Sequence, residues 1–131
     1  MNSDYQDFKH IELSDKIVKI FYKVYNKLGY GFLEKIYEKA MVIELEKDRI
    51  PAVSQSPIKV YYENEVIGEY FADLLVADKI IVEIKATKTL VPDHEAQLLN
   101  YLKATDIEVG LLLNFGPRPQ LKRKAFDNHR K

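Results

Sequence analysis

The chain contains no cysteine, only three histidines and no long hydrophobic run. Without cysteine it forms no disulfide and no thiolate zinc site, so we expect a reducing compartment, the cytoplasm. No apolar run approaches the roughly 20 residues that cross a bilayer, and the polar residues 1–10 do not resemble a secretory signal, so no membrane partner is expected. With so few histidines, any metal should be a hard cation held by carboxylates.

Net charge is also absent, since 20 basic side chains balance 20 acidic ones. This argues against a protein whose nucleic-acid affinity depends on a basic surface. The charge is unevenly spread, however, because residues 118–131 contain six basic side chains and one acidic one. This basic C-terminal segment either contacts phosphate or serves only solubility.

The length of 131 residues, with 47% hydrophobic and 31% charged residues, indicates one soluble globular domain. We predict a loose N-terminal arm over residues 1–12, a folded domain over residues 13–117 and the basic segment over residues 118–131.

Apolar residues recur at helical spacing in the first part of this domain. Ser14 is a candidate N-cap for a first helix, whose stripe runs from Ile17 to Leu28. The Gly29-Tyr30-Gly31 joint ends it, and a second helix follows. The pattern then changes to that of strands, which we predict over residues 58–62, 66–76, 79–86 and 107–113. A bulge or bend is expected at Gly68. A third helix is predicted from Pro92 to about Thr105, between the last two strands. The order ααβββαβ predicts an α/β fold, with a central mixed four-stranded sheet flanked by helices.

Among the charged residues of the predicted strands, three are candidates for a site: Asp73 in the second strand, and Glu83 and Lys85 in the third. Residues two apart in a strand share a face, so Glu83 and Lys85 point the same way. Their strand is otherwise of a buried type, where charged side chains are costly unless they are paired or bind a metal.

The register of the hairpin decides whether Asp73 joins them. If residues 77–79 form the loop, Asp73 faces Glu83 directly, and two carboxylates converge. Such a pair needs a divalent cation or a proton between its members. A loop one residue shorter would place Asp73 opposite Ile84 and break up the group. In the structural alternative, Asp73 lies at an exposed edge, and Glu83 and Lys85 form a salt bridge.

Two polar pairs on the predicted helices are further candidates. Gln97 and Tyr101 share a face of the third helix, with His94 one turn earlier. Glu34 and Tyr37 lie three residues apart on the second helix. Each pair also has an ordinary explanation: a semi-polar helix flank for the first, and an exposed glutamate beside a core tyrosine for the second.

These residues occur in motifs of a known family. Gly31-Phe-Leu-Glu34-Lys-Ile-Tyr37 resembles the motif that names the GxxExxY family, which is similar to the PD-(D/E)XK nuclease superfamily. Asp73, followed by Glu83-Ile84-Lys85, stands where the superfamily signature stands. Gln97-Leu-Leu-Asn-Tyr101 resembles the Q-x-x-x-Y motif of the RecB-like branch. The resemblance covers roughly residues 13–124 and implies a restriction-endonuclease-like core.

The resemblance also implies roles. Asp73, Glu83 and Glu34 would be ligands of Mg²⁺, for which Mn²⁺ would substitute, and Lys85 would act on the attacking water or on transition-state charge. Gln97 and Tyr101 would position the signature residues or a phosphate. His94 and Tyr37 are further candidate substrate-binding residues.

Two functions follow as expectations. The first is a metal-dependent phosphodiesterase that hydrolyses DNA or RNA, and hydrolysis of another phosphodiester is a variant of it. The second is a catalytically silent module of the same fold that acts by binding protein or nucleic acid. So small a catalytic core would draw its specificity from a second copy of the chain, from a partner protein or from the basic segment.

Overall fold

The computed structural model describes residues 9–131. Over these residues the chain forms three α-helices and five β-strands, in the order ααβββαββ. In chain order they are α1 (Ile11–Leu28), α2 (Glu34–Lys47), β1 (Ala52–Tyr62), β2 (Glu65–Val76), β3 (Ile80–Lys85), α3 (Pro92–Lys103), β4 (Val109–Phe115) and β5 (Pro119–Ala125), followed by a 3-10 turn (Asn128–Arg130). None of the helices described over this range is long and apolar enough to cross a membrane.

The strands form a single sheet in the order β1-β2-β3-β4-β5. All neighbouring strands are antiparallel except β3 and β4, which are parallel. Helix α3 makes the crossover between those two strands, as such a connection requires. The predicted α/β class and mixed sheet are therefore confirmed, with five strands in place of four.

The fifth strand comes from the basic segment, which we predicted as an addition to the folded domain. Residues Pro119–Ala125 pair with β4 along its whole length. Strand β5 is at the sheet edge and mostly half-buried. Charged side chains suit an edge strand, because they discourage further pairing, and they hide the apolar alternation that marks a strand in sequence.

Two hydrophobic clusters sandwich the sheet. The larger joins α1 and α2 to one face through residues such as Phe21, Tyr37 and Met41, all fully buried. The smaller joins α3 to the other face through Leu98, Leu102 and their neighbours. Strand β3 is buried on both faces, as its Ile80-Ile81-Val82 run predicts.

The first helix begins earlier than predicted. Ser14 is not its N-cap but a buried residue inside α1, and its backbone N–H donates to the carbonyl of His10. Helix α1 starts at Ile11, so the predicted arm over residues 1–12 overlaps the helix, and residues 1–8 lie outside the described part of the chain. At the other end Gly29 has φ +68°, a conformation that glycine adopts without steric cost.

Strands β1 and β2 form a long hairpin, of which only a short part pairs with β3. The two strands pair from Ala52 and Val76 out to a turn at Glu63 and Asn64, both with positive φ. The register shifts after Val60, the partner of Gly68, which confirms the bulge expected at that glycine. Only residues 74–76 of β2 pair with β3, so the outer part of the hairpin extends past the third strand.

Candidate active site

The β2–β3 register is the predicted one. Val76 pairs with Ile80 and Leu74 with Val82, across a turn in which Ala77 and Asp78 have positive φ. Continuing this register, the next opposed residues are Asp73 and Glu83. The backbone ladder ends before them, and the two strands are joined there by side chains instead.

Each acid accepts a hydrogen bond from the opposite strand. The N–H of Asp73 donates to Glu83 Oε2 at 2.8 Å. The N–H of Ile84 donates to Asp73 Oδ2 at 2.7 Å. These two bonds replace the missing ladder bonds and bring both carboxyl groups to one place, so the alternative of Asp73 at an exposed sheet edge is wrong.

Glu83 lies in an environment that disfavours its charge. Its side chain is only 5% exposed. Burial, and next the negative charge of Asp73, raise its pKa from 4.5 to about 8. The Asp73 N–H and the charge of Lys85 oppose this rise, while Glu34 adds to it. The site therefore calls for a proton or a cation beside Glu83.

Lys85 is the half-buried amine beside the acids. No ion pair involves it anywhere in residues 9–131, where the acids Glu44, Glu95, Glu108 and Asp127 take the recorded pairs. The structural alternative of a Glu83–Lys85 salt bridge is therefore wrong. An amine without an ion-pair partner at this point can hold a water molecule or an anionic oxygen.

A further acid and an amide, both missed in the sequence, also reach Asp73. Gln55 Nε2 donates to Glu38 Oε1 at 2.8 Å and lies 3.4 Å from Asp73 Oδ1. Gln55 has φ +53° in the middle of β1, and the pairing of β1 with β2 skips it and Asp73. Glu38 is 7% exposed, and burial is the main cause of its raised pKa. The left-handed conformation of Gln55 within β1 is what marks this part of the site, and no sequence pattern predicts that conformation.

Glu34 reaches the end of β3 from α2. Its Oε2 accepts from the N–H of Ala86 at 3.3 Å, and the side chain is otherwise exposed. The N–H that Glu34 contacts belongs to the residue that follows Lys85. The negative charge of Glu34 also contributes to the raised pKa of Glu83.

Gln97 and Tyr101 interact with each other on α3. Gln97 Nε2 donates to the Tyr101 hydroxyl at 3.1 Å. Burial, then the charges of Glu83 and Asp73, raise the pKa of Tyr101 to about 12. The hydroxyl therefore stays protonated and lies within electrostatic reach of the acid pair.

Two predicted substrate-binding residues have structural positions. Tyr37 is fully buried, and its ring stacks on Phe115. Its hydroxyl donates to the carbonyl of Gly29 at 2.7 Å and accepts from the N–H of Phe32 at 3.2 Å. It cannot contact substrate, and the prediction is wrong because the hydroxyl is needed to fix the α1–α2 joint. His94 is half-buried, and its Nδ1 accepts from the N–H of Val91 at 3.2 Å, which caps α3.

Several cations of the basic segment already have protein partners. Lys124 pairs with Glu95 at 2.7 Å, and Arg123 donates to the carbonyl of Lys9. Lys131 donates to the carbonyls of Thr105 and Ile107. These contacts give the segment a role in holding the fold.

The donor set fits a hard divalent cation. Asp73 and Glu83 offer only carboxylate oxygens, and one of them is buried beside a like charge. Over the described residues, no three histidine, cysteine or acidic side chains converge as a metal-binding group. Mg²⁺ retains several water ligands, however, so two carboxylates suffice.

Comparison with known proteins agrees with this geometry. No curated protein sequence matches the chain. The crystal structure of SSO0001 superimposes with a TM-score of 0.58 at 20% identity, over 72% of this chain and 50% of that one. The chain thus spans about half of SSO0001, and the likeness shows a shared fold, consistent with a restriction-endonuclease-like core. A sequence profile for the PD-(D/E)XK nuclease superfamily matches residues 11–125, and the chain belongs to that superfamily.

Proposed function

We propose that the chain is a metal-dependent nuclease that hydrolyses DNA or RNA through carboxylate-bound Mg²⁺, for which Mn²⁺ substitutes. The observation that carries the proposal is the reciprocal hydrogen bonding of Asp73 and Glu83, at 2.8 and 2.7 Å, where the β2–β3 ladder stops. Superfamily membership makes nucleic acid the expected substrate.

We further propose a narrower placement in the GxxExxY family and the RecB-like branch. Its support is the motif from Gly31 to Tyr37, together with the Gln97–Tyr101 pair. In the structure the glutamate of the first motif reaches the end of β3, and the second motif forms an internal hydrogen bond next to the acids.

In this proposal Asp73 and Glu83 hold the ion, and Glu34, which does not converge with them as a third acid, acts through its negative charge. When bound, Mg²⁺ would polarise a phosphoryl oxygen and lower the pKa of a coordinated water. Glu83 has to lose its proton to bind. Its interaction with the N–H of Asp73 fixes one oxygen and leaves the other for the ion.

Lys85 is the residue that we assign to the chemistry itself. It shares a strand face with Glu83 and has no ion-pair partner among the described residues. Its ammonium group can orient the attacking water or stabilise negative charge that develops on the phosphoryl oxygens. Gln97 and the protonated Tyr101 hydroxyl are neutral groups placed to hold a substrate oxygen.

The first test is titration of Mn²⁺ by calorimetry. Asp73→Ala and Glu83→Ala should each abolish binding, because each removes a ligand. Asp15→Ala, which removes an exposed carboxylate on α1, should bind Mn²⁺ like the parent chain. Unchanged affinity in both site variants would refute the metal site.

The second test separates the nuclease from a silent binding module. Lys85→Ala should retain Mn²⁺ affinity and lose cleavage of labelled single-stranded, double-stranded and flapped DNA and RNA. A parent chain that binds Mn²⁺ but cuts none of these substrates would favour the silent module.

A further inference from the structure

A groove lies beside the acids, between the hairpin and α3. The outer part of the β1–β2 hairpin has no third strand against it. At its base, Ile58 and Ala72 pack on Leu98 and Tyr101 of α3. Further out, residues of both elements line an open cavity of about 730 Å³, within the size range of ligand sites.

The groove is lined by tyrosines and amides. Tyr61 and Tyr70 line it from the hairpin and are 59% and 49% exposed. The ring of Tyr70 lies 5.8 Å from that of Tyr101, centroid to centroid. Gln97 and Asn100 add amide donors and acceptors from α3. Rings exposed to this degree are accessible to a ligand in the groove.

The groove and the acid pair have Tyr101 as a common neighbour. Tyr101 belongs to the lining of the groove. The charges of Glu83 and Asp73 contribute to the raised pKa of the same tyrosine. A ligand lying in the groove would therefore contact the tyrosine whose pKa the two acids affect.

The charges around the groove exclude a site that depends on phosphate neutralisation. Asp93 and Lys103 are the charged residues that line it, and they cancel. The outer hairpin carries three glutamates and a single lysine, Lys59. Duplex binding draws its affinity mainly from basic side chains against phosphate, which this surface does not provide. A single strand, unlike a duplex, can add the stacking of its unpaired bases on exposed aromatic rings, worth about 1–3 kcal/mol per base.

We propose that this groove binds a single-stranded segment of nucleic acid, with bases stacked on Tyr70 and Tyr61 and their edges bonded by Gln97 and Asn100. That the ligand is nucleic acid rests on the proposed function. The groove adds that the nucleic acid is single-stranded and identifies the residues that contact its bases. A duplex has its bases stacked internally, so it offers these rings no exposed base face.

The test measures binding without cleavage. The full chain in EDTA is titrated against fluorescently labelled DNA and RNA single strands of about 12 nucleotides, and against the corresponding duplexes, by anisotropy. Single strands should bind more tightly than duplexes. Tyr70→Ala should weaken single-strand binding about 5- to 150-fold, the effect of losing one stacked base. Tyr70→Phe, which keeps the ring, should bind like the parent chain.

Tyr62→Ala is the matched control. Tyr62 is 64% exposed on the same hairpin but does not line the groove, so its loss should leave binding unchanged. Equal binding by Tyr70→Ala and the parent chain, equal weakening by Tyr62→Ala, or a preference for duplex would each overturn the proposal. So would ultracentrifugation showing a dimer that Tyr70→Ala dissociates without altering nucleic-acid binding, because the rings would then serve a second copy.

The two proposals fail separately. A chain that binds Mn²⁺ through Asp73 and Glu83, but binds single strands independently of Tyr70, refutes the groove alone. A chain that binds single strands through Tyr70 in EDTA, but binds no Mn²⁺, refutes the metal-dependent nuclease and retains the groove.

Discussion

Glu83 should make the metal-free chain less stable as pH rises through neutrality. Its pKa in the folded chain is about 8, against 4.5 for an ordinary glutamate. Between these values the folded chain holds a proton that the unfolded chain has released. The free energy of unfolding therefore falls with increasing pH, by about 1.4 kcal/mol per pH unit. Over the whole interval the loss is about 5 kcal/mol, and little of it is screened by solvent because Glu83 is only 5% exposed.

The perturbation that isolates this effect is Glu83→Gln. An amide keeps the shape of the side chain and an oxygen to accept from the N–H of Asp73, but it has no proton to lose. The stability of the variant relative to the parent chain should therefore rise by about 3 kcal/mol between pH 5.5 and 7.5. Comparing the two chains cancels the titration of groups common to both, including His10.

The assay is urea unfolding in EDTA at several pH values, followed by circular dichroism. Glu44→Gln is the control, because Glu44 is also buried but its pKa is lowered by hydrogen bonds from Lys23 and Lys47. That stabilisation is fully present above pH 5, so this variant should differ from the parent by a constant amount. A difference between Glu83→Gln and the parent that does not change with pH would refute the reasoning. Mn²⁺ at pH 7.5 should stabilise the parent and not Glu83→Gln.

Three other substitutions test the framework around the site by urea unfolding. Tyr37→Phe leaves the carbonyl of Gly29 without its donor and should cost about 1–2 kcal/mol. Gly110→Ala places a Cβ 2.6 Å from Leu98 Cδ1, so overpacking should cost about 1–3 kcal/mol. Gln55→Ala removes the donor to buried Glu38 and should cost about 1 kcal/mol or more. Its Mn²⁺ affinity should also fall, since Asp73 loses a neighbour. Variants as stable as the parent chain would contradict the assigned contacts.

The central part of the site could be predicted because it depends on short-range rules. A three-residue loop fixes which residues of β2 and β3 face each other, and the period of two then fixes which side chains share a face. Once the loop is residues 77–79, the opposition of Asp73 to Glu83 and the common face of Glu83 and Lys85 follow from these rules. The ααβββαβ order follows equally from local patterns of apolar residues and glycines.

The residues that could not be predicted depend on tertiary contacts. Strand β5 forms because the edge of β4 is free to pair with it. The sequence of β5 contains two lysines and an arginine and lacks the alternation of apolar and polar residues that predicts a strand. Tyr37 is chemically suited to substrate binding, and only its position shows that the hydroxyl holds the α1–α2 joint. Glu38 looks like an exposed helical glutamate until Gln55, 17 residues later, turns back in a left-handed conformation to meet it.

The break in strand pairing is what brings the two acids together. Had the ladder continued through Asp73, its backbone N–H would have bonded a carbonyl of β3, and both carboxylates would have stood apart from the backbone. Because the strands separate there, the N–H groups of Asp73 and Ile84 are free to hold one oxygen of each acid. A buried N–H needs a partner, so these bonds fix the side chains against their mutual repulsion. The fold therefore compensates for the repulsion between the two acids, and a cation bound between them would reduce that repulsion.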